Sequence, residues 1–138
     1  MDDDFDECLV LNTRMAARTM TRLYGRRLRP YGLTAEQFSL LVSIRKNKRR
    51  SVSELAQNLG MDRTTLSRNL NLLESKGLVG CDPAGKGNGR LCQLTGAGQA
   101  LLDELVPHWR AAQEEMKRLL GPSEFNETII ALRKLAQF

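Results

Sequence analysis

The stretch that decides the fold is Ser51-Val52-Ser53-Glu54-Leu55-Ala56-Gln57-Asn58-Leu59-Gly60-Met61-Asp62-Arg63-Thr64-Thr65-Leu66-Ser67-Arg68-Asn69-Leu70-Asn71-Leu72-Leu73-Glu74-Ser75-Lys76-Gly77. Ser51 and Glu54 have the spacing of a capping box, in which each side chain satisfies the other's free backbone amide. A helix therefore starts at Ser51, runs through Leu55, Ala56 and Leu59, and stops at Gly60, a helix-ending residue. Asp62 follows as the next N-cap. A second helix then covers residues 63–76, with Leu66, Leu70 and Leu73 on one stripe. Thr64, Ser67, Arg68 and Asn71 share another face, at i, i+3, i+4 and i+7. A short helix, a tight turn and a second helix with a polar outer face make a helix-turn-helix.

Downstream, residues 78–82 and 90–94 are short strand candidates around Pro83-Ala84-Gly85-Lys86-Gly87-Asn88-Gly89. A glycine-rich hairpin at this place makes a winged helix-turn-helix. Thr95 caps a long helix that carries Pro107 as a kink and resumes through Trp109, Ala112, Met116 and Leu119. Gly121-Pro122 breaks it, and Ser123 opens a last helix with Phe125, Ile129, Leu132 and Ala136 on one stripe. Upstream, residues 5–29 read as one helix with Phe5, Leu9, Ala16, Met20, Leu23 and Leu28 apolar, Cys8 within it, and Arg14, Arg18, Arg22 and Arg26 forming a ridge. Thr34 to Gln37 fits another capping box, opening a helix whose buried face is Phe38, Leu41 and Val42, with Leu40 and Ile44 beside them. The expected class is mainly α with a small β-hairpin.

The charge has a shape. The chain has 138 residues and a net charge of +5, with 21 Lys+Arg against 16 Asp+Glu. Five acids and no base stand in residues 1–7, residues 8–95 carry 16 bases and 5 acids, and residues 96–138 carry 5 bases and 6 acids. A basic middle suits a polyanion, most simply nucleic acid. The recognition candidates are Arg63, Thr64, Thr65, Ser67, Arg68 and Asn71. Arg and Asn side chains can pair with guanine and adenine in the major groove, and the first helical turn favours phosphate. Lys86 and Arg90 of the hairpin are candidates for phosphate or the minor groove. A winged helix can instead serve as a protein-interaction module without sequence-specific DNA binding, and the pattern leaves that alternative open.

Other classes find no support. The single His108 and three cysteines without CxxC spacing argue against a catalytic triad, a metal site or a disulfide framework, so no catalytic residue, metal or cofactor is expected. No apolar run approaches the roughly 20 residues of a membrane span, and the acidic N-terminus is unlike a signal or transit peptide, so no membrane partner and a cytoplasmic location are expected. Cys8, Cys81 and Cys92 are candidate redox residues. A hairpin symmetric about its tip sets Cys81 opposite Cys92, where two small packed residues are expected in preference to a cytosolic disulfide. His108 and Trp109 are expected to pack in the core or at an interface, with a small-molecule pocket as the alternative role.

Residues 53–56, 59–70, 73–74 and 77–79, with Leu94-Thr95 and Gly98, resemble the core of the MarR family of bacterial transcriptional regulators. Upstream, Asn12, Arg14, Arg18, Leu23-Tyr24, Leu28-Arg29-Pro30, Gly32-Leu33-Thr34 and Gln37-Phe38 resemble its first two helices. The resemblance implies a single domain over 1–138, with the winged helix-turn-helix at about 34–96 and dimerisation helices at about 5–29 and 97–138. It implies a homodimeric repressor on double-stranded DNA with a pseudo-palindromic operator, released by a small hydrophobic or phenolic effector or by an oxidant. It also assigns Thr64, Thr65, Ser67 and Arg68 to base and phosphate contacts. One departure stands out. Lys86 and Asn88 occupy the places of the family's wing Asp and Arg, with Arg90 the substitute arginine. Cys8 falls near a family sensing position, but Val10 stands at the one typical of organic-peroxide sensors.

Overall fold

A computed structural model describes residues 3–46, 51–82 and 90–137. Among these residues six α-helices and one hairpin follow in order: α1 Leu9–Leu28, α2 Ala35–Lys46, α3 Val52–Leu59, α4 Arg63–Ser75, β1 Val79–Cys81, β2 Cys92–Leu94, α5 Gly96–Leu120 and α6 Pro122–Ala136, with short 3-10 turns at Phe5–Glu7 and Arg29–Tyr31. The expected mainly helical, winged arrangement is present. Among the described residues no helix is long and apolar enough to cross a membrane.

The core forms where the stripes of α2, α3, α4 and α5 meet β1. Leu40, Leu41, Leu55, Leu66, Leu70, Leu73, Val79 and Leu105 are its largest fully buried side chains. Each contributes on the order of 1.5–3 kcal/mol of transfer free energy. Local signals set the helix starts. Ser51 and Glu54 bond reciprocally, as do Thr34 and Gln37, whose two bonds span 3.1 and 3.2 Å. Gly60 has φ 63°, a left-handed conformation that costs other residues energy, and so turns the chain from α3 toward Asp62. Helix α5 continues through Pro107, and its far half carries α6.

Four expectations are corrected. The first helix begins at Leu9, because Asp4 accepts from Asp6 N–H and winds residues 5–7 into a separate 3-10 turn. Cys8 is therefore the extended N-cap of α1, outside the helix. Val42 is exposed, while Gln37 and Ser43 share the buried face of α2 with Leu40, Leu41 and Ile44. The α1 stripe, which the resemblance gives to a dimer surface, buries only Leu28 within the chain, and α6, given to the same surface, buries none of its residues. The fourth correction concerns the hairpin. Its register is Val79↔Leu94, Gly80↔Gln93 and Cys81↔Cys92, and the two cysteines form a disulfide where packed thiols were expected.

Candidate nucleic-acid interface

Helix α4 is held from behind and free in front. Leu66, Leu70 and Leu73 have no exposed surface, whereas Arg63, Thr64, Arg68 and Asn71 are exposed and Ser67 is half-exposed. The period of 3.6 residues separates the two faces. Arg63 and Arg68 have no acidic partner among the described residues, so both guanidinium groups keep their donors for an external acceptor. The structure thus brings Thr64, Ser67, Arg68 and Asn71 onto one accessible face.

The first turn is more committed than its sequence suggests. Asp62 caps it, accepting from Thr65 N–H at 2.8 Å and from Thr65 Oγ1 at 2.8 Å. The Thr65 hydroxyl proton is therefore given to Asp62. These bonds from Thr65, the backbone amide first, hold the Asp62 carboxyl below its usual range. A carboxylate here also repels phosphate, which leaves Arg63 and Thr64 as the better placed phosphate candidates of this turn.

The wing joins α4 through a residue that periodicity did not single out. Glu74 accepts from the Arg90 guanidinium at 3.0 Å and from Cys81 N–H at 3.3 Å. Arg90 is thus paired inside the chain, on the side of the wing base that faces α4. Its carbonyl in turn accepts from Val52 N–H at 3.0 Å, and Ser51 bridges Leu91, so β2 extends onto the start of α3. Lys86 and Asn88 lie outside the described residues. Glu74 could have been found in the sequence only by asking which acid faces Arg90, sixteen positions away.

Two further features bear on regulation. An apolar cavity of about 570 Å³ lies among α1, α2, α5 and α6, lined by Met20, Phe38, Trp109, Met116, Phe125 and Ile129 among others. Tyr24 stands in its wall, donating to Gln113 Oε1; burial first, and the Glu115 charge second, push its phenol above the ordinary pKa. Trp109 lines this cavity, whereas His108 packs on Tyr31, with Nε2 2.8 Å from the phenol oxygen. Cys8 is a half-buried free thiol.

Comparison with known proteins agrees with this geometry. A profile described as MarR family matches residues 31–86. The transcriptional regulator MosR of M. tuberculosis is 38% identical, with a TM-score of 0.82 over 97% of this chain and 98% of its own. MosR in complex with DNA gives 37% identity and a TM-score of 0.80, over 95% of both chains. A MarR variant from E. coli bound to operator DNA is 29% identical, with a TM-score of 0.79 over 97% of this chain and 99% of that one. Among curated proteins no significant match was found.

Proposed function

The chain belongs to the MarR family of winged-helix, DNA-binding transcriptional regulators, and from this premise we propose that it is a cytoplasmic homodimeric repressor of a pseudo-palindromic operator. The observation that carries the reading is the exposed face of α4, where Thr64, Ser67, Arg68 and Asn71 stand over a fully buried leucine stripe. Arg68 and Asn71 read base edges in the major groove. Arg63, Thr64 and the wing residues Lys86 and Arg90 hold phosphate, Arg90 after leaving Glu74. Thr65 assists indirectly, since its amide and hydroxyl both donate to the capping Asp62 and hold the start of α4 in place.

The remaining helices make the dimer. Residues 34–96 form the DNA-binding part, and 5–29 with 97–138 form the arm. Phe5, Leu9, Val10, Leu119 and Ile130 support this, because each exposes more than half of its surface in the single chain. Large apolar side chains left in water in this number suit an interaction face. A two-fold dimer sets its recognition helices about 34–36 Å apart, or a multiple of that. A small hydrophobic or phenolic effector fits the apolar cavity beside Tyr24 and Trp109, and its entry at the junction of arm and DNA-binding part would change the spacing of the two reading heads.

The test is selection of bound sequences from random duplex DNA, followed by anisotropy titration of the recovered duplex at several salt concentrations. A palindrome and a steep fall of affinity with salt are expected. Arg68→Ala should cost about 1–3 kcal/mol of specific binding and much less of nonspecific binding. Unchanged operator affinity in both Arg68→Ala and Arg63→Ala would remove the assigned recognition face. The protein-interaction alternative predicts no recovered sequence at all.

A further inference from the structure

The base of the wing is where three elements share bonds. Cys81 N–H and the Arg90 guanidinium both donate to Glu74 of α4, and the Arg90 carbonyl accepts from Val52 of α3. Thr95 N–H donates to Leu78 O at 3.0 Å, and Asp82 N–H donates to Leu91 O at 2.6 Å. Bonded pairs alternate along an antiparallel ladder, so Cys81 and Cys92 face each other at a non-hydrogen-bonded position, where side chains come closest. Their Cα atoms are 4.0 Å apart and their sulfurs are joined. A concavity of about 560 Å³, lined by Gly80, Cys81, Asp82, Leu91, Cys92 and Gln93, opens on the pair and admits a small reagent.

We infer that Cys81 and Cys92 are a reversible dithiol–disulfide switch, closed by hydrogen peroxide or another small hydroperoxide, whose closed state locks the wing base on the recognition helix and tightens DNA binding. The inference rests on the DNA-binding reading above. A protein that works on DNA in the cytoplasm meets a reducing thiol pool, and disulfides there are typically transient and redox-sensing. In the first step one cysteine thiolate attacks a peroxide oxygen. The O–O bond breaks, and the departing hydroxide takes up a proton to leave as water. The second sulfur then attacks the resulting sulfenic sulfur, the S–O bond breaks, and the hydroxyl leaves as water with that thiol's proton. Two thiols and one hydrogen peroxide give one disulfide and two waters, with two electrons passing from sulfur to peroxide. A small-molecule thiol reverses the bond by exchange.

The effect on binding follows from the geometry. A two-stranded hairpin is marginal by itself in water, and this one has three residues per strand. The covalent tie fixes β2 to β1 through the backbone next to the Cys81 N–H bond to Glu74, and it keeps that base fixed when the Arg90 side chain turns from Glu74 to phosphate. A wing fixed before binding loses less freedom on DNA, and preorganisation of this kind raises affinity.

The experiment uses the full chain and the duplex recovered by selection. Protein treated with one equivalent of hydrogen peroxide is compared with protein in dithiothreitol, and peptide mass mapping assigns the cysteines in each. The oxidised form should carry the Cys81–Cys92 link and bind roughly three- to tenfold more tightly. Cys81→Ser and Cys92→Ser should each hold the reduced-form affinity under both treatments, and Cys8→Ser should keep the full response. Equal affinities of mapped oxidised and reduced wild type, or tighter binding by the reduced form, would overturn the switch. So would a full response retained in Cys81→Ser. If the serine variants do not fold, the wild-type comparison decides alone. Failure of both wild-type states to bind any duplex would instead sink the DNA-binding reading beneath the inference.

Discussion

Gly98→Ala adds one carbon at the place where α5 meets the wing. A Cβ at Gly98 would stand 2.1 Å from the Leu78 carbonyl oxygen and 3.0 Å from its carbon. Real Cβ atoms do not approach below 3.0 Å, so α5 and β1 must part by about 1 Å. The obstacle is backbone, and it is held. Leu78 O accepts from Thr95 N–H, while Thr95 Oγ1 caps Gly98 N–H at 3.1 Å and donates to Gly77 O at 2.6 Å. Overpacking costs about 1–3 kcal/mol. Disturbing the Thr95 cap adds about 1 kcal/mol, for a total of about 2–4 kcal/mol. At about 3 °C per kcal/mol for a chain of this size, the melting temperature should fall by about 6–12 °C. Thermal denaturation followed by circular dichroism, at one fixed protein concentration, measures this. Gly96→Ala is the control, because nothing lies within 4 Å of its added carbon. It should be neutral, or stabilising by up to about 1 kcal/mol. Equal melting temperatures for the two variants would refute the close approach.

Two further predictions concern α4. Arg68→Ala should leave stability within about 0.5 kcal/mol, whereas Leu70→Ala, two residues along, should cost about 2–5 kcal/mol in urea denaturation; similar losses would contradict the two-faced helix. Asp62 has a folded pKa lowered by its bonds from Thr65, so its contribution is present above the unfolded carboxylate value and is lost as pH falls through the folded one. Asp62→Asn, which keeps a capping side chain without the charge, should therefore show less loss of stability than wild type on acidification, read as melting temperature against pH; parallel curves would exclude the Asp62 contribution.

Much of the DNA-binding part was legible because it is written locally. The Ser51/Glu54 and Thr34/Gln37 boxes, the Asp62 cap and the Leu66, Leu70, Leu73 stripe each depend on residues within one or two turns. The strand register was legible too, since hairpin symmetry sets Cys81 opposite Cys92. The bond between them was not, because oxidation state is a property of the surroundings of the chain. The pairing of Arg90 with Glu74 and the approach of Gly98 to Leu78 join residues that no periodicity relates. The apolar stripes of α1 and α6 were legible as stripes, and the resemblance, not the pattern, gave them to a dimer surface; within the chain α1 buries only Leu28 and α6 buries none of its residues. A pattern shows which side chains avoid water, and it does not say whose surface covers them. Val42 shows the reverse, an apolar residue on α2 whose face the core does not use.

Those uncovered stripes carry a consequence for dosage. Phe5, Leu9, Val10 and Leu119 stand 64–75% exposed in the lone chain. When a second copy covers them, the amount of assembled protein at low expression rises with the square of chain concentration, and its stability rises with concentration too. Halving synthesis would then remove more than half of the competent regulator. In such a dimer the cover over these apolar side chains converts a gradual change in gene expression into a steeper change in operator occupancy.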